Sequence, residues 1–144
     1  MNAQGSATID APREQVYAQL SDPKRLEPLL PSVQSLDELG DGRFAVRVVP
    51  QTALGATPLF LELSIGEQRE PEHVRIEGSG DGGEFRTTFE VKLDFAEHGS
   101  GTEVSWEAQA RFNGILSSLG QRILPAILAS QIDAVLHAAA TSPA

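Results

Sequence analysis

The chain has 144 residues, 11 basic against 20 acidic, a formal net charge of −9 and no cysteine. That length suits one domain whose core needs no covalent staple, and the missing cysteine excludes disulfides, thiolate metal sites and a thiol nucleophile. The acidic balance and scarcity of aromatics offer phosphates no basic face and bases no stacking platform, which argues against nucleic acid as a partner.

The N-terminus lacks the basic stretch and apolar run of a signal peptide. Residues 5–10 read as a short strand. Asp10 has the chemistry of a helix N-cap, with Pro12 early in the first turn and Glu14 favouring the helix dipole. Val16, Tyr17 and Leu20 give that helix an apolar side. Ser21, Asp22 and Pro23 stop it and start a second short helix over 24–29, which ends before Pro31.

From 33 to 112 apolar residues recur at every second position. Phe44, Val46 and Val48 do so, then Leu59, Leu61, Leu63 and Ile65, then Val74 and Ile76. The longest runs are Phe85, Thr87, Phe89, Val91, Leu93 and Phe95, and Val104, Trp106, Ala108, Ala110 and Phe112. Such alternation marks antiparallel strands with one dry and one wet face. Glycine-rich stretches at 40–42, 78–83 and 99–101 read as the turns between them.

From Asn113 onward the pattern changes to one long amphipathic helix. Leu116, Leu119, Ile123, Leu124, Ile127, Leu128, Ile132 and Val135 fall on one side of it. Pro125 removes a backbone hydrogen bond and predicts a kink, or on propensity alone the end of a first helix. Gln121, Arg122, Ser130 and Gln131 interrupt the apolar run, so no segment reaches the ~18 apolar residues of a membrane span. A cytoplasmic protein is expected. One sheet with a dry face needs one cover. The result is an α+β fold in which a curved antiparallel sheet wraps a long C-terminal helix, with two short helices after the first strand: a helix-grip arrangement.

The segment 8–20, the Asp22-Pro23 and Leu30-Pro31 pairs, Gly114, and the Leu119-Gly120-Gln121-Arg122 run resemble the carbon monoxide dehydrogenase G-subunit family. That family belongs to the START-like, or SRPBCC, superfamily of hydrophobic-ligand-binding domains. The resemblance spans nearly the whole chain, as one START-like domain over 1–144 whose last few residues form a disordered tail. It implies a deep cavity between sheet and helix, and a supporting role beside a molybdenum hydroxylase-type enzyme, at the membrane or in quinone delivery. Relatives tied to membrane attachment continue into an apolar or basic C-terminal extension, whereas this sequence ends at Ala144, so a membrane anchor is not expected and a transient membrane contact is left open. Ser32 stands where the family has a glycine near the cavity mouth.

Catalytic chemistry is hard to find. His73, His98 and His137 share no metal-ligand spacing and are expected at solvent-exposed positions. The run from Gly78 to Gly83 lacks the following helix and Lys-Ser/Thr pair of a phosphate loop, and reads as a hairpin turn. Glu62, Glu90 and Glu107 fall on wet strand faces, placed for cross-strand pairs with Arg86, Lys92 or Arg111. No nucleophile elbow occurs. Neither a metal nor a cofactor is expected.

The apolar faces remain. They either pack fully or keep a pocket, since ligand sites are mostly apolar with a few orienting polar groups. Phe44, Phe85, Phe89, Trp106, Leu119, Ile123 and Ile127 are the candidate lining, with Thr87 and Gln131 to orient a polar head. Entry is expected between the final helix and the loops near Pro31 and 53–58. The expected function is a non-enzymatic carrier of a lipid-, isoprenoid- or quinone-like molecule. A docking or assembly factor with a packed interior, and an aromatase- or cyclase-like enzyme, are the alternatives. The enzyme would require Arg47, Arg75 or Arg86 to point inward.

Overall fold

Alternation along the sequence becomes alternation between two faces of a sheet. The computed structural model describes residues 2–30, 33–49, 51–52, 55–56, 58–82, 85–114 and 118–141, with side chains described except at 23, 51–52, 55–56, 85, 114, 118–128 and 141. In chain order come β1 (Asn2–Ile9), α1 (Arg13–Ser21), α2 (Pro23–Leu26), a 3-10 turn (Glu27–Leu29), β2 (Val33–Gly40) and β3 (Arg43–Val48). They are followed by the two-residue strands β4 (Gln51–Thr52) and β5 (Gly55–Ala56), then β6 (Leu59–Arg69), β7 (His73–Asp81), β8 (Phe85–His98), β9 (Gly101–Gly114) and α3 (Ser118–Thr141). Seven strands form one curved antiparallel sheet in the order β1-β9-β8-β7-β6-β3-β2, and β4 pairs with β5 apart from it.

The register lines up the apolar positions in rows. Ala7, Val104 and Phe95 face the same side, as do Gly5, Trp106, Leu93 and Val74 in the next row. Beyond them lie Ala110, Phe89, Gly78, Leu63 and Phe44, then Phe112, Thr87, Gly80, Leu61 and Val46. This inner face meets α1 through Val16, Tyr17 and Leu20, and meets α3 through Leu136 and Ala139, all in one buried cluster. α3 runs beside β1 and touches the 3-10 turn and α1. Of the small inward residues of β1, Gly5 makes room for the Trp106 ring, which a Cβ there would meet at 2.9 Å, and Ala3 and Ala7 pack, half-buried, against the core cluster.

Several local expectations change. β1 begins at Asn2 rather than at residue 5. Asp10 does not cap α1; the helix starts at Arg13, and the Pro12 carbonyl accepts from Gln15 and Val16 N–H at 3.0 and 3.1 Å. Asp22 is the side chain that caps locally, its Oδ1 accepting from Lys24 N–H at 3.0 Å. β9 continues to Gly114, so the helix starts at Ser118 and not at Asn113, and it is continuous through Pro125.

The run at 78–83 is not a turn throughout. Gly78, Ser79, Gly80 and Asp81 are strand, paired with Phe89, Thr88, Thr87 and Arg86. Glycine serves there because a Cβ on Gly78 would collide with the Phe89 ring and with Leu63 Cδ2 at 2.6 Å, while one on Gly80 would meet Leu61 and Thr87 at 2.8 and 2.9 Å. The space that composition assigns to a turn is filled by neighbours lying flat across the strand. Leu116, Pro31, Ser32, the pair 53–54 and the tail 142–144 lie outside the described residues.

Candidate functional site

The two ends of the inner face differ. At the upper end the strand termini Val33, Val48, Leu59, Asp81, Phe85 and Gly114 come together. At the lower end are the junction of β1 with α1 and the turns joining β2 to β3, β6 to β7 and β8 to β9. The lower half is sealed: Ile9, Val74, Leu93, Phe95, Val104 and Trp106 are all buried. Towards the upper end Phe89, Ile76, Leu61 and Leu59 are only half-buried, although they face the same side. Apolar area is therefore left accessible in the half of the face farther from α1.

Among these apolar neighbours Thr87 is 9% exposed, and its Oγ1 has no hydrogen-bond partner among the described residues. Its methyl occupies the space over Gly80, so the hydroxyl is the branch directed elsewhere. A buried hydroxyl left unpaired costs about 1–3 kcal/mol.

Of the expected lining, Phe44, Phe89 and Thr87 come together. Phe44 and Phe89 share a row across Leu63 and Gly78, and Thr87 is in the adjacent row. Phe44 is fully buried and forms floor, whereas Phe89 keeps accessible surface. Trp106 is opposite Leu93, six residues along β8 from Thr87, which is about 20 Å of strand. It belongs to the sealed half. Gln131 is half-buried on α3, about 20 Å of helix rise from Ser118, so it is deeper than Thr87 and not beside it. The side chains of Phe85, Leu119, Ile123 and Ile127 lie outside the described residues. Periodicity put Leu61 and Ile76 on the dry face without naming them as lining, and it read Gly78 and Gly80 as turn; the cross-strand register places all four on this face.

The family model for the carbon monoxide dehydrogenase G-subunit, CoxG, matches residues 5–142. The chain belongs to the CoxG family. Solved structures of the same fold include a conserved protein from Geobacillus kaustophilus, 20% identical over 96% of this chain and 92% of that one, with a TM-score of 0.88. A START superfamily protein from Mycobacterium smegmatis is 12% identical over 96% of each chain, with a TM-score of 0.73. CV1439 from Chromobacterium violaceum is 18% identical over 96% of this chain and 94% of that one, with a TM-score of 0.69. No curated protein matches. No helix among the described residues is long and apolar enough to cross a membrane.

The cations of the described strands are kept off the inner face. Arg47 sits over the exposed Phe60 ring at 5.4 Å, Arg75 pairs with Glu77 at 3.2 Å and Arg86 approaches Asp81 at 3.8 Å, all on the outer face. Among the described residues no inward strand position carries Lys or Arg. The outer face also holds an open groove of about 600 Å³ lined by Asn2, Glu77, Thr88, Glu90, Gln109 and Arg111. Its two glutamates are opposite each other, and each pairs with a cation on its own strand, Arg75 or Lys92.

His73 corrects another expectation. It is buried, not exposed: its Nδ1 is 2.7 Å from Asp94 Oδ1, and its carbonyl accepts from the Tyr17 hydroxyl at 3.3 Å. His98 and His137 are exposed. Among the described residues no group of three or more His, Asp or Glu side chains is placed to hold a metal ion.

Proposed function

We propose that this CoxG-family chain is a non-enzymatic carrier that holds a hydrophobic small molecule between the inner sheet face and α3, in a helix-grip arrangement. The observation that carries this reading is the apolar surface left accessible at Phe89, Ile76, Leu61 and Leu59, beside the buried Phe44, Val46 and Leu63. Buried apolar area contributes roughly 25 cal/mol per Å², so a lipid-, isoprenoid- or quinone-like molecule covering that surface would be held mainly by hydrophobic transfer. Phe44 backs the site, while Thr87 and Phe89 face the ligand; Phe85, Leu119, Ile123 and Ile127 complete the proposed wall. Trp106 and Gln131 would be reached only by a ligand long enough to extend towards the lower half. The strand register supports a carrier over an enzyme, because Arg47, Arg75 and Arg86 are all on the other face. The family's name points to a carbon monoxide dehydrogenase as the partner that receives or supplies the ligand, here taken to be of the molybdenum hydroxylase type.

Native mass spectrometry of gently purified protein tests this. A co-purifying apolar molecule, or mass adducts at one equivalent with quinones or long-chain lipids, is the expected result. Protein that carries no ligand and takes up none from any of these classes would instead select a docking factor with a packed interior.

A further inference from the structure

Resting on that carrier reading, we propose that Thr87 anchors the polar end of the ligand, and that this end is an uncharged oxygen such as an alcohol or ketone. The residue is nine-tenths buried and its hydroxyl has no partner among the described residues, in a row made of Phe112, Gly80, Leu61 and Val46. A hydroxyl can both donate and accept a hydrogen bond, which matches one neutral oxygen on the ligand. A carboxylate or phosphate would need a cation beside it once out of water. The described inward strand positions carry none, and Arg47, Arg75 and Arg86 are engaged on the outer face.

The geometry also sets the ligand's direction. Thr87 is two residues from the start of β8, where the strand ends gather. The accessible apolar surface continues from it over Phe89 and Ile76 towards the sealed half. The polar end therefore lies near the upper end and the apolar part points down the sheet. Thr87 acts here as a positioning and specificity residue: it selects the neutral end group and leaves overall hydrophobic binding to the surface around it.

Dodecan-1-ol, laurate and dodecane separate the possibilities, because they share a chain length and differ in the end group. Displacement of a fluorescent apolar probe from the full chain gives the three affinities. Dodecan-1-ol is expected to bind at least about tenfold more tightly than laurate, whose carboxylate would leave water with no cation beside it. Thr87→Val should weaken dodecan-1-ol by about tenfold and leave dodecane unchanged. Thr87→Ser, which keeps the hydroxyl, should restore the difference. Equal binding of laurate and dodecan-1-ol, or a Thr87→Val variant that still prefers the alcohol over dodecane, overturns the anchor while the carrier reading stands. If none of the three binds, the carrier reading falls and the anchor falls with it. Because Val matches Thr in shape, a melting temperature no lower than that of the parent shows that any loss is not one of folding.

Discussion

Tyr17 is packed edge-on to Phe95, with ring centroids 5.2 Å apart and planes at 70°, and it donates to the His73 carbonyl. Burial first, and the negative charge of Glu70 second, raise its pKa above the ordinary value, which is near 10. A neutral phenol favoured in the folded state stabilises the fold below the unfolded pKa. That contribution is lost as pH rises from there through the folded pKa. Tyr17 is the chain's single tyrosine, so phenolate absorbance reports it alone: the midpoint should lie above about 10. Tyr17→Phe should flatten the fall in melting temperature over the same range. Two glycines give a second residue-level contrast. A Cβ on Gly101 would lie 2.7 Å from the Ile9 carbonyl oxygen, a backbone atom that cannot step aside. A Cβ on Gly78 meets side-chain ends only, those of the half-buried Phe89 and of Leu63, which can shift where a backbone carbonyl cannot. Gly101→Ala should therefore lose about 1–3 kcal/mol in urea unfolding, and Gly78→Ala less than about 1 kcal/mol.

Elements are joined by contacts between segments remote in sequence. Thr102, at the start of β9, donates from Oγ1 to the Ala11 carbonyl at 2.8 Å, 91 positions away, and so fixes the path from β1 into α1. Thr102→Val would leave that carbonyl unpaired and is expected to cost about 1–2 kcal/mol, read from the same unfolding curves. Leu136 is 1% exposed, in the cluster shared with Ile9 and Val16. Leu136→Ala should cost about 2–5 kcal/mol through the cavity it leaves, more than Val135→Ala, since Val135 is half-buried. At the free edge of the sheet β2 has two register shifts and carries Asp37 and Glu38. Irregularity and charge discourage pairing with a second sheet edge. The strands were legible from period-two alternation, since that pattern directly reports which face is dry. The run at 78–81 was not: a glycine that makes a turn and a glycine that makes room for a neighbour's ring look the same until the neighbour is known. Asp10 misled for a related reason, because capping depends on where the backbone bends and Pro12 moved that point forward.

Over the whole molecule the negative charge is uneven. At the lower end Asp10, Glu14, Asp41, Glu67, Glu70, Glu72 and Glu97 outnumber Arg13, Arg43 and Arg69, while towards the upper end Arg47, Arg86 and Arg111 stand with Asp81. Crowded like charges weaken the folded state, and salt screens them with a length of about 3 Å at 1 M. Raising sodium chloride to about 1 M should therefore raise the melting temperature by about 2–4 °C, the shift that about 1 kcal/mol gives in a domain of this size. Local periodicity and residue identity were enough for the order of elements, the dry and wet faces of the long strands from Phe44 onward except at 78–81, the family, and the lack of Lys or Arg at the described inward strand positions. Packing in three dimensions was needed to show that the inner face is sealed below and accessible above, that Trp106 and Thr87 belong to different halves, and that His73 is buried. Those properties depend on which distant segment covers a residue. The Tyr17 hydroxyl reaches the His73 carbonyl 56 positions away, and no periodicity within either segment records that meeting.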